Sequence, residues 1–159
     1  MASTSRLLRI AVLATGLGIA TLAVAPAAPA AADGDRCDGA QVRTCVSFVR
    51  DGDYRFKPKA VITDVAGDGR DFRVRVTNLY LEQKRGDQWV RAEGFGVVHD
   101  YDGWHDAQDV VIPANWQYCS YVSGSITLRA RATFTWDNFG TGETTESGTS
   151  WPVTFHCHP

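Results

Sequence analysis

Strict alternation of apolar and polar residues is the feature that most constrains the fold of this chain. Residues 72–76 alternate phenylalanine or valine with arginine, and residues 126–136 carry an apolar side chain at every second position. Because successive side chains of a β-strand point to opposite faces, this period places one face in a core and the other in water. No segment beyond residue 32 has the three-and-four spacing of an amphipathic helix. The pattern therefore predicts an all-β protein.

Glycine-, asparagine- and aspartate-rich turns divide the chain into about seven predicted strands. These are residues 42–49, 55–65, 72–81, 89–90, 109–112, 121–136 and 149–157, with 94–108 and 137–146 as loops. Pro58 and Pro152 favour sheet edges, because proline cannot donate to a ladder. We predict a single antiparallel β-sandwich over residues 33–159, with a small barrel as the alternative. The sandwich is immunoglobulin-like only in the loose sense, since the Cys…Trp…Cys spacing of antibody domains is absent.

The first 32 residues predict a secretory signal peptide that is removed from the mature protein. Arg6 and Arg9 precede an uncharged apolar run at 10–25, and Ala30-Ala31-Ala32 offers small residues for cleavage. The run of 16 residues is shorter than the roughly 20 that span a bilayer, so no membrane insertion is expected. Thirteen of the 16 basic residues are arginine, a bias typical of high-GC bacteria. We expect a secreted, extracellular bacterial protein.

The charge balance of residues 33–159 disfavours nucleic acid as a partner. Removing Arg6 and Arg9 from the 16 basic residues leaves 14 against 18 acidic ones, a net charge of −4. Nucleic-acid-binding domains carry a basic patch that neutralises phosphates, and no basic stripe of that kind is present.

Four cysteines in an exported chain predict two disulfides, because the extracellular compartment is oxidising. Three connectivities are possible, and we favour Cys37–Cys45 with Cys119–Cys157. The first pair would close a short loop of turn-forming residues at 38–41. The second pair is centred on a turn-like stretch near Asn138, where a long hairpin would bring both cysteines together.

The segment 99–109 is the densest polar cluster and contains an Asp-x-Asp-Gly start that resembles part of a calcium loop. The candidate ligands are Asp100, Asp102, Asp106 and Asp109. A complete loop would also need a terminal bidentate glutamate, which is absent. The alternative is a solvated loop in which aspartate and glycine serve turns. We therefore expect no cofactor, with calcium as the alternative.

Aromatic and arginine side chains supply the candidate binding residues. Four aromatic residues lie in or beside predicted loops: Trp104, Trp116, Tyr118 and Tyr121. Exposed rings there would stack on sugars or anchor a protein interface; otherwise they belong to the core. The other tryptophans lie on predicted strands and are expected in the core: Trp89, Trp136 and Trp151. Four arginines lie on outward faces of two predicted strands: Arg73, Arg75, Arg129 and Arg131. If those strands are neighbours, the arginines form a strip that either solubilises the surface or docks a partner.

No constellation in the sequence predicts catalysis. The Gly-x-Ser-x-Gly nucleophile elbow is absent. Paired carboxylates for glycoside hydrolysis could be drawn from too many acids to specify a site. We therefore expect a non-enzymatic, secreted binding module that engages an extracellular protein partner as an adaptor or inhibitor. The first alternative is a glycan-binding module for cell-wall or chitin-like polysaccharide, and the second is a small secreted hydrolase.

Overall fold

A computed structural model describes residues 33–67, 69, 72–99, 102–119, 124–138 and 140–157. The predicted signal peptide at 1–32 lies outside this range. The described residues form two antiparallel sheets and two disulfides, and they contain no helix. Accordingly, these residues include no helix long and apolar enough to cross a membrane.

Sheet 1 has the strand order β1-β2-β3-β8, with β9 pairing to β3 beyond the end of β8. Its strands are β1 (Asp33–Asp38), β2 (Val42–Asp51), β3 (Arg55–Asp64), β8 (Gln108–Val111) and β9 (Gln117–Tyr118). The predicted inward row of β2 is confirmed, because Val42, Thr44, Val46 and Phe48 are all buried.

Sheet 2 has the order β11-β10-β4-β5, with three shorter pairings: β12 joins β10, while β6 and β7 join β4. Its strands are β4 (Arg73–Arg85), β5 (Gln88–Arg91), β6 (Val98–His99), β7 (His105–Asp106), β10 (Gly124–Asp137), β11 (Glu143–Thr149) and β12 (Val153–Cys157). The long β4–β10 ladder forms the centre of this sheet.

The core lies between the two sheets and draws on both of them, which makes the arrangement sandwich-like. Phe48 and Phe56 of sheet 1 contact Phe155 of sheet 2, with ring centroids 5.3 and 4.2 Å away. These aromatic contacts join the sheets at one end. The predicted alternation of β10 is confirmed by its fully buried row: Leu128, Ala130, Ala132 and Phe134.

A β-bulge in β4 changes which residues of that strand face the core. Val76 pairs with Phe134, and Asn78 pairs with Thr133, so Thr77 is an extra residue on β4. Before the bulge the even-numbered Val74 and Val76 are buried; beyond it the odd-numbered Leu79 and Leu81 are buried. The outward face is therefore made of odd-numbered residues before the bulge and even-numbered residues after it.

The strand count corrects the expectation of about seven strands, since the described residues form twelve. β11 lies largely in the predicted loop 137–146. It was missed because both of its faces carry polar or small residues, which leaves no alternation to read. β1 was missed for the same reason. Both strands are held by ladder hydrogen bonds to a stronger neighbour, β10 and β2 respectively.

Pro58 lies inside sheet 1 rather than at its edge, because β3 pairs with β2 on one side and with β8 and β9 on the other. On the second side, however, β8 pairs with 60–63 and β9 with 55–56. Pro58 therefore lies opposite the gap between those two strands, where no neighbouring strand needs a hydrogen bond from its backbone nitrogen. Pro152 lies between β11 and β12, which both pair with the same edge of β10.

Both predicted disulfides are confirmed. Cys37 and Cys45 are directly opposite each other in the β1–β2 ladder. The intervening turn depends on Gly39, whose φ is +96° and where a Cβ would collide with the Val42 carbonyl.

The second disulfide joins the two sheets. Cys119 follows β9 in sheet 1, and Cys157 ends β12 in sheet 2. The hairpin predicted near Asn138 is present as β10–β11, whose ladder ends at the pair Asp137–Glu143.

Two of the three tryptophans expected in the core are elsewhere. Trp136 packs against the core as predicted. Trp151 is 57% exposed and lies 5.1 Å from the Arg36 guanidinium. Trp89 belongs to the outward face of sheet 2, where Arg129 covers its ring at 4.4 Å. Trp151 lies between β11 and β12 rather than on a strand, and β5 is too short for its alternation to reveal the face of Trp89.

Candidate functional site

The first candidate surface is the outward face of sheet 2, which we call the arginine–aromatic face. It consists of rings and guanidinium groups on β4, β5, β10 and the loop before β7: Arg73, Arg75, Tyr80, Trp89, Arg91, Trp104, Arg129 and Arg131. β4 and β10 are neighbours, which is the condition the predicted arginine strip required.

At one end of this face, two arginines cover Trp104. The ring centroid of Trp104 lies 4.3 Å from the Arg75 guanidinium carbon and 5.4 Å from that of Arg73. Arg75 Nη2 also donates to Glu143 Oε2 at 3.3 Å, and Arg73 pairs with Asp137. The structure therefore brings three of the predicted binding residues together and gives both arginines a carboxylate partner.

The Arg73–Asp137 pair shifts both ionisations towards the charged forms. The hydrogen bond from Arg73 holds the pKa of Asp137 below its ordinary range, and a backbone hydrogen bond from Gly140 acts in the same direction. The same side-chain hydrogen bond, followed by Coulomb attraction to Asp137, raises the pKa of Arg73.

The opposite end of the face is organised around the buried carboxylate of Glu82. Arg129 Nε lies 2.6 Å from Glu82 Oε2, and Arg131 Nη1 lies 3.6 Å from Glu82 Oε1. Glu82 is only 8% exposed. Arg129 also covers the ring of Trp89. One carboxylate thus holds both predicted arginines of β10, and it fixes the guanidinium over the indole.

A third ring lies between the two ends. Arg91 covers Tyr80, with 5.3 Å between guanidinium carbon and ring centroid. Tyr80, Arg91 and Trp89 were not among the predicted binding residues. The alternation of 72–76, continued without interruption, makes Tyr80 an inward residue. The bulge at Thr77 reverses that assignment.

The second candidate surface is a half-open cavity of about 480 Å³ at one end of the sandwich. We call it the end pocket. Ten residues from both sheets line it: Gln83, Arg85, Glu93, Gly94, Phe95, Trp116, Gln117, Tyr118, Cys119 and Ile126. Its volume lies within the range of roughly 300–1,000 Å³ that is usual for ligand pockets.

The inward row of β4 continues past the core and into this pocket. Leu79 and Leu81 are buried, and Gln83 and Arg85 follow at the same spacing of two residues. On the opposite sheet, Gln117 pairs with the fully buried Phe56, and cross-strand neighbours share a face. Polar side chains therefore replace apolar ones at the inward positions where the interior meets solvent.

Trp116 and Tyr118 form the rim of the end pocket on the side of sheet 1. The Trp116 ring lies 4.9 Å from both Arg55 and Lys57, and Arg55 also lies 5.6 Å from the ring of Tyr118. Lys57 Nζ donates to the Ala114 carbonyl at 2.6 Å, which ties the preceding loop to β3. Tyr118 is 47% exposed.

The predicted aromatic group is divided between the two surfaces. Trp104 lies beside Arg73 and Arg75 at the beginning of β4, whereas Trp116 shares the pocket with Arg85 at its end. At about 3.3 Å per residue, β4 separates them by roughly 35 Å. Tyr121 lies outside the described residues.

The predicted calcium ligands have other contacts. Asp109 is buried and accepts the Val76 backbone N–H at 2.6 Å, and Asp102 contacts His105 Nε2 at 2.8 Å. Asp106 is paired in the ladder with Arg73. Asp100 lies outside the described residues. Within the described part of the chain, no three His, Cys, Asp or Glu side chains are arranged to hold a metal ion.

Comparison of the chain with family models, with curated proteins and with solved structures finds no match. Its function is therefore argued from the two surfaces alone.

Proposed function

We propose that this protein is a secreted, non-catalytic binding module that engages an extracellular protein partner through the arginine–aromatic face. The observation that carries the proposal is the stacking of three rings under guanidinium groups: Trp104 under Arg75, Tyr80 under Arg91 and Trp89 under Arg129. Tryptophan, tyrosine and arginine are the residues most enriched among interface hot spots.

The ion pairs of the face support the proposal by fixing the geometry in advance. Glu82 holds Arg129 and Arg131, while Asp137 and Glu143 hold Arg73 and Arg75. Side chains that are already ordered lose less conformational entropy when a partner binds. A rigid face of this kind suits an adaptor or an inhibitor.

The charge of the face indicates a partner with an acidic surface. Its five arginines and the adjacent Lys84, which pairs with Trp89, stand against four acidic residues (Glu82, Asp106, Asp137 and Glu143), a net charge of +2. Residues 33–159 together carry −4. The face is thus locally positive on an acidic protein, which favours encounter with negative surfaces.

Secretion from a bacterial cell and an immunoglobulin-like sandwich in the loose sense remain part of this proposal. Two disulfides in a small β domain support an oxidising compartment. The glycan-binding alternative concerns the end pocket rather than this face. The hydrolase alternative has one carboxylate in that pocket, Glu93, whereas the usual glycosidase mechanism uses two.

The test is native mass spectrometry of the tagged protein captured from the medium of cells that produce it. We expect a stoichiometric protein partner on the native chain. Replacing Trp104 and Arg75 together with alanine should reduce partner occupancy at least tenfold, since hot-spot truncations commonly have effects of that size or more. The matched control is Trp151→Ala, which removes an exposed, arginine-stacked tryptophan elsewhere and should retain the partner. Equal partner occupancy in the double variant and the control would contradict the proposal.

A further inference from the structure

The end pocket brings together polar side chains that no other described group of the protein engages. In the described structure, no hydrogen bond or ion pair engages the side chains of Gln83, Arg85, Glu93 or Gln117. Gln83 and Gln117 are half-buried at inward positions, where amides are normally paired because unpaired burial is unfavourable. Arg85 and Glu93 are exposed and line the same half-open cavity.

The remaining lining is apolar and lies deeper or at the rim. Phe95 packs against the core residue Phe56 at 5.6 Å between ring centroids, and Ile126 also packs against the core. Trp116 and Tyr118 add two aromatic rings. A ligand that fits must offer an apolar face to the rings and several neutral hydrogen-bonding groups to the amides.

From this lining we infer that the end pocket binds an N-acetylated pyranose sugar of a chitin-like glycan. The apolar C–H face of the sugar ring stacks on Trp116 or Tyr118. The two glutamine amides each donate and accept, which matches the N–H and carbonyl of an acetamido group. Its methyl group contacts Phe95 and Ile126, while Glu93 and Arg85 accept from and donate to ring hydroxyls.

The walls of the pocket are fixed before any ligand arrives. The Cys119–Cys157 disulfide joins the two sheets at this end, and Cys119 itself lines the cavity. Arg55 and Lys57 hold the Trp116 ring from β3. A pocket whose width and ring orientation are already set loses less conformational entropy when a ligand binds, and its affinity is higher for that reason. This site is separate from the proposed protein-binding face, so the failure of one leaves the other untouched.

The experiment is isothermal titration of the disulfide-bonded protein with chitotriose, and with cellotriose as the analogue that lacks acetamido groups. We expect saturable 1:1 binding of chitotriose and at least tenfold weaker binding of cellotriose, because unpaired glutamine amides penalise the analogue. Absence of saturable chitotriose binding, or equal affinity for both sugars, would overturn the inference.

Two variants test the glutamines. Gln83→Leu and Gln117→Leu extend the apolar inward rows and should each weaken chitotriose binding at least tenfold without lowering the melting temperature. Trp151→Ala is the control and should bind as the native protein does. If both leucine variants bind normally, the pocket assignment is wrong. Chitotriose-induced shifts of the Gln83 and Gln117 side-chain amide NMR signals provide the same test in the native protein, and unmoved signals would also overturn it.

Discussion

The arginine–aromatic face and the end pocket use consecutive residues of β4 but treat their polar groups in opposite ways. Glu82, on the outward side, is held by Arg129 and Arg131. Gln83, its neighbour on the inward side, has no side-chain partner in the described structure. On the face, the carboxylates of Glu82, Asp137 and Glu143 form ion pairs with arginines of the same sheet, and these pairs stabilise the fold. In the pocket the polar side chains have no partner among the described protein groups, so they are free to form hydrogen bonds with a ligand.

The two disulfides differ in position, because Cys119–Cys157 joins the sheets at the end pocket and Cys37–Cys45 lies within sheet 1. Replacing Cys119 and Cys157 with alanine should lower the free energy of unfolding by about 4 kcal/mol, and replacing Cys37 and Cys45 by about 2.5 kcal/mol, because the loops differ in length. The sequence separations are 38 and 8 residues. Denaturant titration of both double variants measures the difference. Only the Cys119–Cys157 disulfide reaches the pocket, through Cys119, so chitotriose binding should fall in that variant alone. Loss of binding in both variants would show that general destabilisation is responsible.

Single substitutions at the neighbouring residues Glu82 and Gln83 of β4 should have different effects on stability. Glu82→Gln removes the charge between two guanidinium groups and should cost about 2 kcal/mol of stability, a value reduced from that of a fully buried pair by the partial exposure of Arg129 and Arg131. Gln83→Leu should leave the free energy of unfolding unchanged. Urea titration of the two variants side by side gives both values, and a larger loss for Gln83→Leu would reverse our account of the two surfaces.

A smaller, pH-dependent effect is expected at the Arg73–Asp137 end of the face. The pKa of Asp137 is lowered in the folded protein, so its pairing stabilises the fold above about pH 4 and this contribution is lost as pH falls through the folded-state value. The melting-temperature difference between the native protein and Asp137→Asn should therefore be constant at neutral pH and shrink in acid. A difference that grows below pH 4 would contradict the direction of the shift.

The smallest expected effect is that of calcium removal. Asp109 and Asp102 already contact Val76 and His105, so dialysis against a chelator should leave the melting temperature unchanged. A decrease that calcium restores would break the comparison, because the Trp104 end of the face would then depend on a metal ion. Thermal denaturation with and without added calcium decides this.

Much of the fold could be predicted from the sequence where burial imposed a period on the residues. The inward rows of β2 and β10 and both disulfides follow from alternation and cysteine spacing. β11 could not be predicted, because its residues are polar on both sides and it is defined by its neighbour β10. Alternation of apolar and polar residues indicates strands that are buried on one face, but it gives no signal for a strand that is held only by pairing with its neighbour.

The candidate surfaces were predicted only in part. The arginine strip followed from alternation on two strands, and the structure adds the carboxylates that hold it. The pocket was invisible because Trp116 and Gln83 are far apart in sequence and meet only through the packing of the two sheets. A signal did exist in β4, where Leu79 and Leu81 give way to Gln83 and Arg85 at the same spacing.

The bulge at Thr77 acts on β4 as a frameshift acts on a coding sequence, because it reverses the face taken by every residue that follows it on the strand. If Thr77 were paired in the regular ladder instead of bulged, a single parity would run along the whole strand. Leu79 and Leu81 would then turn towards solvent, and Glu82 and Gln83 would exchange sides. Both surfaces therefore depend on one residue that belongs to neither of them.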